Sequence, residues 1–196
     1  AYGCPFPGIV FGEASPLWTP HTIHVMSLSK LGLPGTRTAF VIAPPEVAAA
    51  VSSMMAVTGL ANGNFGLAIA GPLFASGEIT RLSREIIQPY YRHKRDAALE
   101  AVAEFFPADA PYALHESEGA LFLWLWLENS EKTSRELYQN LKERGVLVVP
   151  GEYFFFGDLA EDWRHRHECL RISFAMDDRD VREGLRIIGS EIAGAF

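Results

Sequence analysis

The chain has 196 residues, of which 48% are hydrophobic and 21% charged, a composition typical of a globular protein rather than a disordered or coiled-coil chain. Its formal net charge of −7 argues against a nucleic-acid-binding protein, because affinity for the phosphate backbone comes from clustered Lys and Arg. The apolar run over residues 121–127 is far shorter than the roughly 20 residues that a membrane span requires. Two cysteines, Cys4 and Cys169, do not make a disulfide framework, so we expect a cytoplasmic protein.

The first part of the chain alternates short strands with helices. Two strands and a helix are predicted, in that order, over residues 22–27, 38–43 and 45–59. A helix of small residues follows, and we expect Gly71 and Pro72 to interrupt it. The apolar periodicity then predicts a long helix over about 78–106, with a kink at Pro89.

After the long helix the pattern changes to that of a compact α+β unit. Four further strands are predicted, over residues 112–115, 121–127, 146–149 and 170–174. The second of them is apolar at every position, which predicts a central strand. An amphipathic helix is predicted over 131–144, with Ser130 as its N-cap and Gly145 as its C-terminal glycine, and a last helix begins at Asp177.

This change of pattern predicts two units joined by the long helix. Residues 1–85 form part of an α/β unit, and residues 86–196 form an α+β unit with its own core. Trp124 and Trp126 alternate along the predicted central strand, so we expect both to lie in that core.

The strongest chemical signal is the segment from Ser27 to Arg37, where a strand leads a lysine into a loop of small residues. A nucleophilic lysine has to be partly neutral, which desolvation and a nearby cation favour. The hydroxyls of Ser27 and Ser29, the loop amides and the planar Arg37 guanidinium suit a phosphate group. A lysine beside a phosphate cradle is what pyridoxal phosphate requires, which makes Lys30 the candidate. The alternative is a solvated Lys and Arg beside a glycine turn.

On this segment the chain resembles the class I and II aminotransferases of pyridoxal-phosphate fold type I. Their Schiff-base motif is Ser-x-Ser-Lys followed by small residues and Gly-x-Arg, which matches Ser-Leu-Ser-Lys ending at Lys30 and Gly-Thr-Arg ending at Arg37. The resemblance implies that Lys30 forms the Schiff base and that Ser27 and Arg37 hold the phosphate, with help from Ser29. The Ala-Tyr pair ending at Tyr2 resembles the end of the family's Asp-x-Ala-Tyr motif, whose tyrosine donates a hydrogen bond to the cofactor's phenolic oxygen.

Three further matches concern the substrate and the partner subunit. Arg171, in an apolar strand, resembles the family arginine that binds the substrate α-carboxylate, although an internal ion pair with a protein carboxylate is the alternative. The segment from Pro150 to Phe154 resembles the Pro-Gly-x-x-Phe turn at the entrance of such sites, so Phe154 is a substrate-binding candidate. The loop with Asn62 and Asn64 corresponds by position to a segment that reaches the neighbouring subunit's site.

The resemblance implies a fold, a reaction and an assembly. The fold is α/β, with residues 1–85 as the C-terminal portion of the cofactor-binding large domain and residues 86–196 as the α+β small domain. The reaction moves the amino group of L-valine, or of a similar aliphatic amino acid, to pyruvate by means of pyridoxal 5'-phosphate, giving L-alanine and 2-oxoisovalerate. Such enzymes are cytoplasmic homodimers about twice this length, so we expect a fragment that lacks the N-terminal half and is inactive alone.

The sequence is also compatible with two other functions and suggests one other kind of site. The same fold serves as the cofactor-binding effector domain of transcriptional regulators, whose DNA-binding helices are not visible in this sequence. Another reaction of the cofactor, such as β-elimination, is compatible with Arg171. The run His165, His167 and Cys169 resembles a metal-binding pattern, but residues 161–168 are better explained as a solvated loop, so we expect no metal.

Overall fold

The computed structural model describes residues 19–60, 63–157 and 163–196, and the chain divides into two units, Ala1–Pro89 and Tyr90–Phe196. Two predicted site residues, Tyr2 and Asn62, lie outside the described residues. In the described part, each unit contains both helices and antiparallel strands.

The first unit begins with an antiparallel strand pair. Strand β1 (His24–Ser27) pairs with β2 (Ala39–Ile42), close to the two predicted strands. Between them the chain makes two short 3-10 turns, Leu28–Leu31 and Pro34–Thr36. Leu28 is fully buried and anchors the first turn directly at the end of β1.

Two helices follow the strand pair, and the second differs from its prediction. Helix α1 covers Pro45–Gly59 and helix α2 covers Phe65–Ala75 without a break, so the predicted interruption at Gly71 and Pro72 is wrong. Pro72 has no amide hydrogen to donate, but its own carbonyl accepts the Ser76 amide at 3.0 Å, so the helix continues past it.

The long helical stretch changes its hydrogen bonding close to Pro89. It consists of α3 (Glu78–Leu82), a π-helical turn (Ser83–Ile87) and α4 (Gln88–Phe105). Proline has no amide hydrogen, and in an α-helix its ring meets the carbonyl four residues earlier. The carbonyl four residues before Pro89 belongs to Glu85, which lies in the wider π turn, close to the predicted kink.

The second unit is a four-stranded antiparallel sheet in the order β3-β4-β6-β5, with two more helices. Its strands are β3 (Tyr112–Leu114), β4 (Phe122–Leu127), β5 (Val149–Pro150) and β6 (Cys169–Ser173). Its helices are α5 (Ser134–Glu143) and α6 (Asp178–Ile192). Strand β4 lies between β3 and β6, as its apolar pattern predicts. Asp177 caps α6 by accepting the Arg179 amide at 3.0 Å.

The two faces of β4 have different surroundings. Leu123, Leu125 and Leu127 are buried, and they form the core of this unit together with the buried leucines and isoleucines of α5 and α6. Trp124 and Trp126 lie on the other face and are half-buried, so the prediction that they belong to the core is wrong. Successive side chains of a strand point to opposite faces, and the leucines occupy the buried one.

Helix α5 begins later than predicted, at a stronger cap. The Thr133 Oγ1 accepts the Glu136 amide at 3.3 Å, and the Glu136 carboxylate accepts the Thr133 amide at 2.8 Å. This reciprocal capping box satisfies two free backbone donors, whereas the predicted N-cap Ser130 is buried and donates to the Lys132 carbonyl at 2.7 Å. Gly145 has a φ of 80° and follows the helix as predicted.

Candidate functional site

Lys30 lies in a tight turn directly after β1. Ser27, the last residue of the strand, caps this turn, because its Oγ accepts the Ser29 amide at 3.2 Å. Gly32 closes the turn in the left-handed conformation, with a φ of 97°, which a glycine adopts without strain. Ser27 and Lys30 are exposed and Ser29 is half-buried, so the turn presents an amine and a hydroxyl to solvent.

Gly32 also lets the Lys30 turn approach the π turn closely. A Cβ at Gly32 would lie 2.7 Å from Cδ1 of Ile87, which is shorter than a real carbon–carbon contact. Ile87 is the last residue of the π turn, so the lysine loop contacts the helical stretch close to the predicted kink at Pro89. The contact of Ile87 with the lysine turn was not predicted from the sequence. The glycine after the lysine motif and the proline close to Ile87 were the two signals that pointed to it.

Arg37 follows the second short turn and has a φ of 48°, which is uncommon for a residue with a side chain. Its Nη1 donates to the Pro34 carbonyl at 3.2 Å, so the side chain folds back over the turn Pro34–Thr36. Within residues 19–60, 63–157 and 163–196, neither Lys30 nor Arg37 has a carboxylate partner. Both cations are exposed and available to an anion.

The start of helix α2 lies against the segment that carries Arg37. Gly66 is buried, and a Cβ there would overlap the Oγ1 of Thr38 and lie 2.7 Å from the Thr36 carbonyl oxygen. Only a glycine permits this approach. Asn64 is the residue before α2 and lies two positions before Gly66 in the chain. The contact of Gly66 with Thr36 and Thr38, the two neighbours of Arg37, therefore keeps Asn64 near Arg37.

In the second unit, Arg171 of β6 lies opposite Trp124 of β4 and Val149 of β5. Its guanidinium carbon is 4.2 Å from the ring centroid of Phe122 and 4.6 Å from that of Phe154, so two aromatic rings cover it. The predicted alternative, an ion pair with a protein carboxylate, is not found for Arg171 among the residues that the structure describes.

The Pro-Gly turn brings Phe154 to Arg171. The turn Gly151–Phe154 follows β5, and a Cβ at Gly151 would overlap the Cβ of Cys169 on β6. The Phe154 ring meets the Trp124 ring edge to face, with centroids 5.6 Å apart. The small residue therefore fixes the close approach, and the aromatic residue three positions later reaches the face of the sheet that carries Arg171.

Glu152 lies in the same turn, and the sequence analysis missed it. Its side chain is only 10% exposed. One carboxylate oxygen accepts the Arg135 Nε–H at 2.8 Å, and the other lies 3.0 Å from Nδ1 of His167. Burial by itself raises the pKa of Glu152, but the hydrogen bonds and charges of Arg135 and His167 outweigh it and hold the pKa below its usual range. The signal in the sequence was an acidic residue between Pro-Gly and four aromatic residues.

The histidine and cysteine run has structural partners of its own. The Cys169 thiol is buried, and this burial raises its pKa to about 11, so it is protonated at neutral pH. Glu168 is buried and accepts the Trp126 indole N–H at 2.9 Å and the Asn129 amide at 3.0 Å, so the prediction of a solvated loop is wrong at this residue.

Within the described part of the chain, no group of three or more His, Cys, Asp or Glu side chains is arranged to hold a metal ion. No helix in that part of the chain has the length and apolar character needed to cross a membrane.

The matches to known proteins decide the family. The family model of the class I and II aminotransferases matches residues 6–188. The chain belongs to this family. It is 40% identical over 196 residues to the valine–pyruvate aminotransferase of Escherichia coli K12. The aligned region covers 100% of this chain and 46% of the relative. The sequence-based prediction of a class I and II aminotransferase is therefore confirmed.

Solved structures of aminotransferases have the same fold as this chain. The valine–pyruvate aminotransferase of Salmonella typhimurium LT2 superposes with a TM-score of 0.84 at 40% identity, over 100% of this chain and 50% of that one. The kynurenine aminotransferase of Pyrococcus horikoshii, solved with PMP, superposes with a TM-score of 0.74 at 26% identity, over 89% of this chain and 41% of that one. The predicted fold class is confirmed, and the chain spans about half the length of the relatives it matches.

The finer assignments within the aminotransferase fold stay predictions. They are the large and small domains at residues 1–85 and 86–196, and the roles given to individual side chains. The described predicted residues form two groups, one in each unit. The first unit holds Ser27, Ser29, Lys30, Arg37 and Asn64, and the second holds Phe154 and Arg171.

Proposed function

We propose that this chain carries part of the active site of a pyridoxal 5'-phosphate-dependent aminotransferase that moves the amino group of L-valine, or of a similar aliphatic amino acid, to pyruvate. The products are L-alanine and 2-oxoisovalerate. The observation that carries the proposal is the Lys30 turn, in which a strand end presents an exposed lysine beside an arginine, and neither has a carboxylate partner in the described chain. The 40% identity to an Escherichia coli valine–pyruvate aminotransferase supports the substrate pair.

The side chains of the Lys30 turn fit an aldehyde cofactor that carries a phosphate. The Ser27 hydroxyl accepts the Ser29 amide, which leaves its own proton available to a phosphate oxygen. The Arg37 guanidinium offers several N–H donors in one plane, a geometry suited to phosphate. The Lys30 amine is the nucleophile that an aldehyde requires. The solved Pyrococcus horikoshii relative contains PMP, which supports the same cofactor chemistry here.

In this mechanism the first unit holds the cofactor and moves a proton. Bound pyridoxal phosphate supplies an electron sink for the carbanion that forms at the substrate Cα. Ser27 and Arg37 would bind the phosphate, and Ser29 shapes the turn through its amide. Lys30 would hold the cofactor through its amine, and the same amine would take the proton from the substrate Cα as a general base. Tyr2 would donate a hydrogen bond to the cofactor's phenolic oxygen, a role that its motif supports.

The second unit binds the substrate carboxylate. Arg171 has both faces covered by Phe122 and Phe154, and the edge of the guanidinium carries the N–H groups that pair with a carboxylate bidentately. The amino acid and the oxo acid both carry a carboxylate on the reacting carbon itself. One arginine can therefore hold the substrate of each half-reaction.

We also infer a cytoplasmic homodimer for the whole protein, in which the Asn62–Asn64 loop reaches the partner's site. The contact of Gly66 with Thr38 holds Asn64, the described end of this loop, close to the segment of its own chain that carries Arg37, and the role in the partner's site is supported by the position of the loop in the family motif. The buried free thiol of Cys169 is compatible with a reducing compartment.

The attachment of the cofactor tests the proposal directly. The protein is incubated with pyridoxal phosphate, reduced with borohydride and digested, and the labelled peptide is identified by mass spectrometry. We expect the pyridoxyl group on Lys30, and its loss in Lys30→Ala. Lys142→Ala is the matched control, because Lys142 is also exposed and has no ion pair among the described residues. A label on another lysine, or equal labelling in Lys30→Ala, contradicts the proposal.

The substrate pair is tested on the full-length protein. L-valine should remove the visible absorption of the bound cofactor, and pyruvate should restore it. A response to acidic or aromatic amino acids with none to valine would contradict the substrate assignment and leave the aminotransferase class standing.

A further inference from the structure

We infer that Glu152 is a positioning residue whose carboxylate braces the turn Gly151–Phe154 and so holds the Phe154 ring over Arg171. The inference rests on the proposed function only in the role of Arg171 as the carboxylate-binding group. The brace consists of contacts within the second unit, so its effect on Arg171 can be measured without an assay of enzymatic activity.

The carboxylate of Glu152 is tied to two separate elements. Arg135, in the first turn of α5, donates to one oxygen, and His167, in the short turn Arg164–His167, contacts the other. A carboxylate that is only 10% exposed loses most of its hydration, and such a group is stable when each oxygen has a hydrogen-bond partner. The turn is thereby fastened from both sides of Glu152.

Fastening Glu152 fixes Phe154 because the turn between them is short and rigid. The two residues are two positions apart in a single 3-10 turn. The preceding Gly151 is pressed against β6 so closely that a Cβ would overlap Cys169. With one end pressed on the strand and the middle tied to α5, the remaining freedom of the turn is small. The Phe154 ring is then held 4.6 Å from the Arg171 guanidinium.

Among the described residues, Arg171 has no carboxylate partner, and the Glu152 carboxylate is bound elsewhere. Glu152 lies in the turn whose Phe154 covers Arg171, yet both its oxygens are engaged by Arg135 and His167. Arg171 instead contacts the faces of two aromatic rings, which hold its position without occupying its N–H groups. This arrangement both orients the guanidinium and leaves its hydrogen-bonding edge for the carboxylate of a ligand.

The test compares Glu152→Gln with Glu191→Gln in the 196-residue chain. Glu191 is a close match, because it is 13% exposed and accepts hydrogen bonds from Lys132 at 2.9 Å and Asn140 at 2.7 Å. Glu191 lies in α6 and has no described contact with the turn. Both substitutions weaken a nearly buried carboxylate network, so a purely structural effect should appear equally in both.

The readout is the Arg171 Nε–Hε resonance, assigned by its loss in Arg171→Lys. A proton above an aromatic ring is shielded, so release of Phe154 should move this resonance downfield. We expect the shift in Glu152→Gln and no shift in Glu191→Gln. On a Phe154→Leu background, Glu152→Gln should add nothing, because the ring through which it acts is absent. An unchanged resonance in Glu152→Gln overturns the inference, and so does a full additional shift on the Phe154→Leu background.

Two further arms keep the result decisive. If Glu152→Gln does not fold, Arg135→Gln removes the same brace from an exposed side chain and should give the same downfield shift. Titration with pyruvate should show binding at Arg171 that is about threefold weaker in Glu152→Gln than in the parent chain. If pyruvate leaves the Arg171 resonance of the parent chain unmoved, the proposed carboxylate-binding role fails, whereas the shift between variants still decides the brace.

Discussion

Among single residues, a few Lys and Arg side chains have no ion pair in the described part of the chain, while most of the other Lys and Arg side chains form one. Lys30, Arg37 and Arg171 have no carboxylate partner among the described residues, whereas Arg135 and Lys132 pair with nearly buried glutamates. Arginine suits such a position because its guanidinium can stack on aromatic rings and still offer donors at its edge. The family motif assigns a ligand to each of these three cations, whereas other cations without an ion pair among the described residues, such as Lys142, have no such assignment.

Arg171→Lys in the full-length protein tests the carboxylate-binding role. A lysine is a point charge and cannot pair bidentately, so we expect KM to rise for both the amino acid and the oxo acid, and kcat/KM to fall by about 2–4 kcal/mol of transition-state stabilisation. Steady-state kinetics with valine and with 2-oxoisovalerate measure both values. Arg182→Lys is the control, since Arg182 forms an exposed ion pair with Glu104. Kinetics equal to those of the control would contradict the role.

At the scale of elements, each group of site residues lies on a short turn that a glycine presses against a neighbouring element. Gly32 brings the Lys30 turn onto Ile87 of the π turn, and Gly151 brings the Phe154 turn onto Cys169 of β6. A turn of three or four residues has few contacts of its own, so its position depends on this close approach. The glycines thereby set where the functional side chains can lie.

Gly32→Ala should displace the Lys30 turn. The left-handed φ of 97° disfavours any side chain, by about 1–2 kcal/mol, and the new Cβ would also meet Ile87. We expect lower stability in urea unfolding and slower borohydride trapping of pyridoxal phosphate on Lys30. Gly35→Ala is the control, because no atom lies within 4 Å of a Cβ built there. An equal loss of trapping in both variants would show that the contact with Ile87 is unimportant.

At the scale of the whole molecule, the two units bury apolar side chains to different extents. The second unit encloses a core of leucine and isoleucine from β4, α5 and α6. In the first unit, α1 has no buried residue, and the side chains of Val57 and Leu60 are 87% and 92% exposed. Exposed apolar surface of this kind favours association with another surface.

We therefore expect the 196-residue chain to associate with itself through the first unit. Light scattering should show a mass that rises with concentration, and Val57→Lys should reduce it. The control is Leu147→Lys, which changes an apolar residue of the second unit that is 72% exposed. A constant monomer mass, or equal effects of the two substitutions, would contradict this expectation.

The amino-acid sequence alone was enough to predict the family and the fold class. A turn after the lysine and a turn at Pro-Gly could be expected because glycine and proline act on the backbone conformation of neighbouring residues. The central place of β4 could be predicted because a strand that is apolar on both faces has to be covered on both.

Which face of a strand is buried and which distant residues become partners depended on the tertiary structure. Trp124 could be assigned to the correct face of β4 only once the leucines had packed on α5 and α6. The cap at Thr133, by contrast, could have been predicted from the Thr-x-x-Glu spacing. The brace at Glu152 joins residues 17 and 15 positions apart, through Arg135 and His167. Such contacts depend on how distant segments pack, and no periodicity or spacing within one segment encodes them.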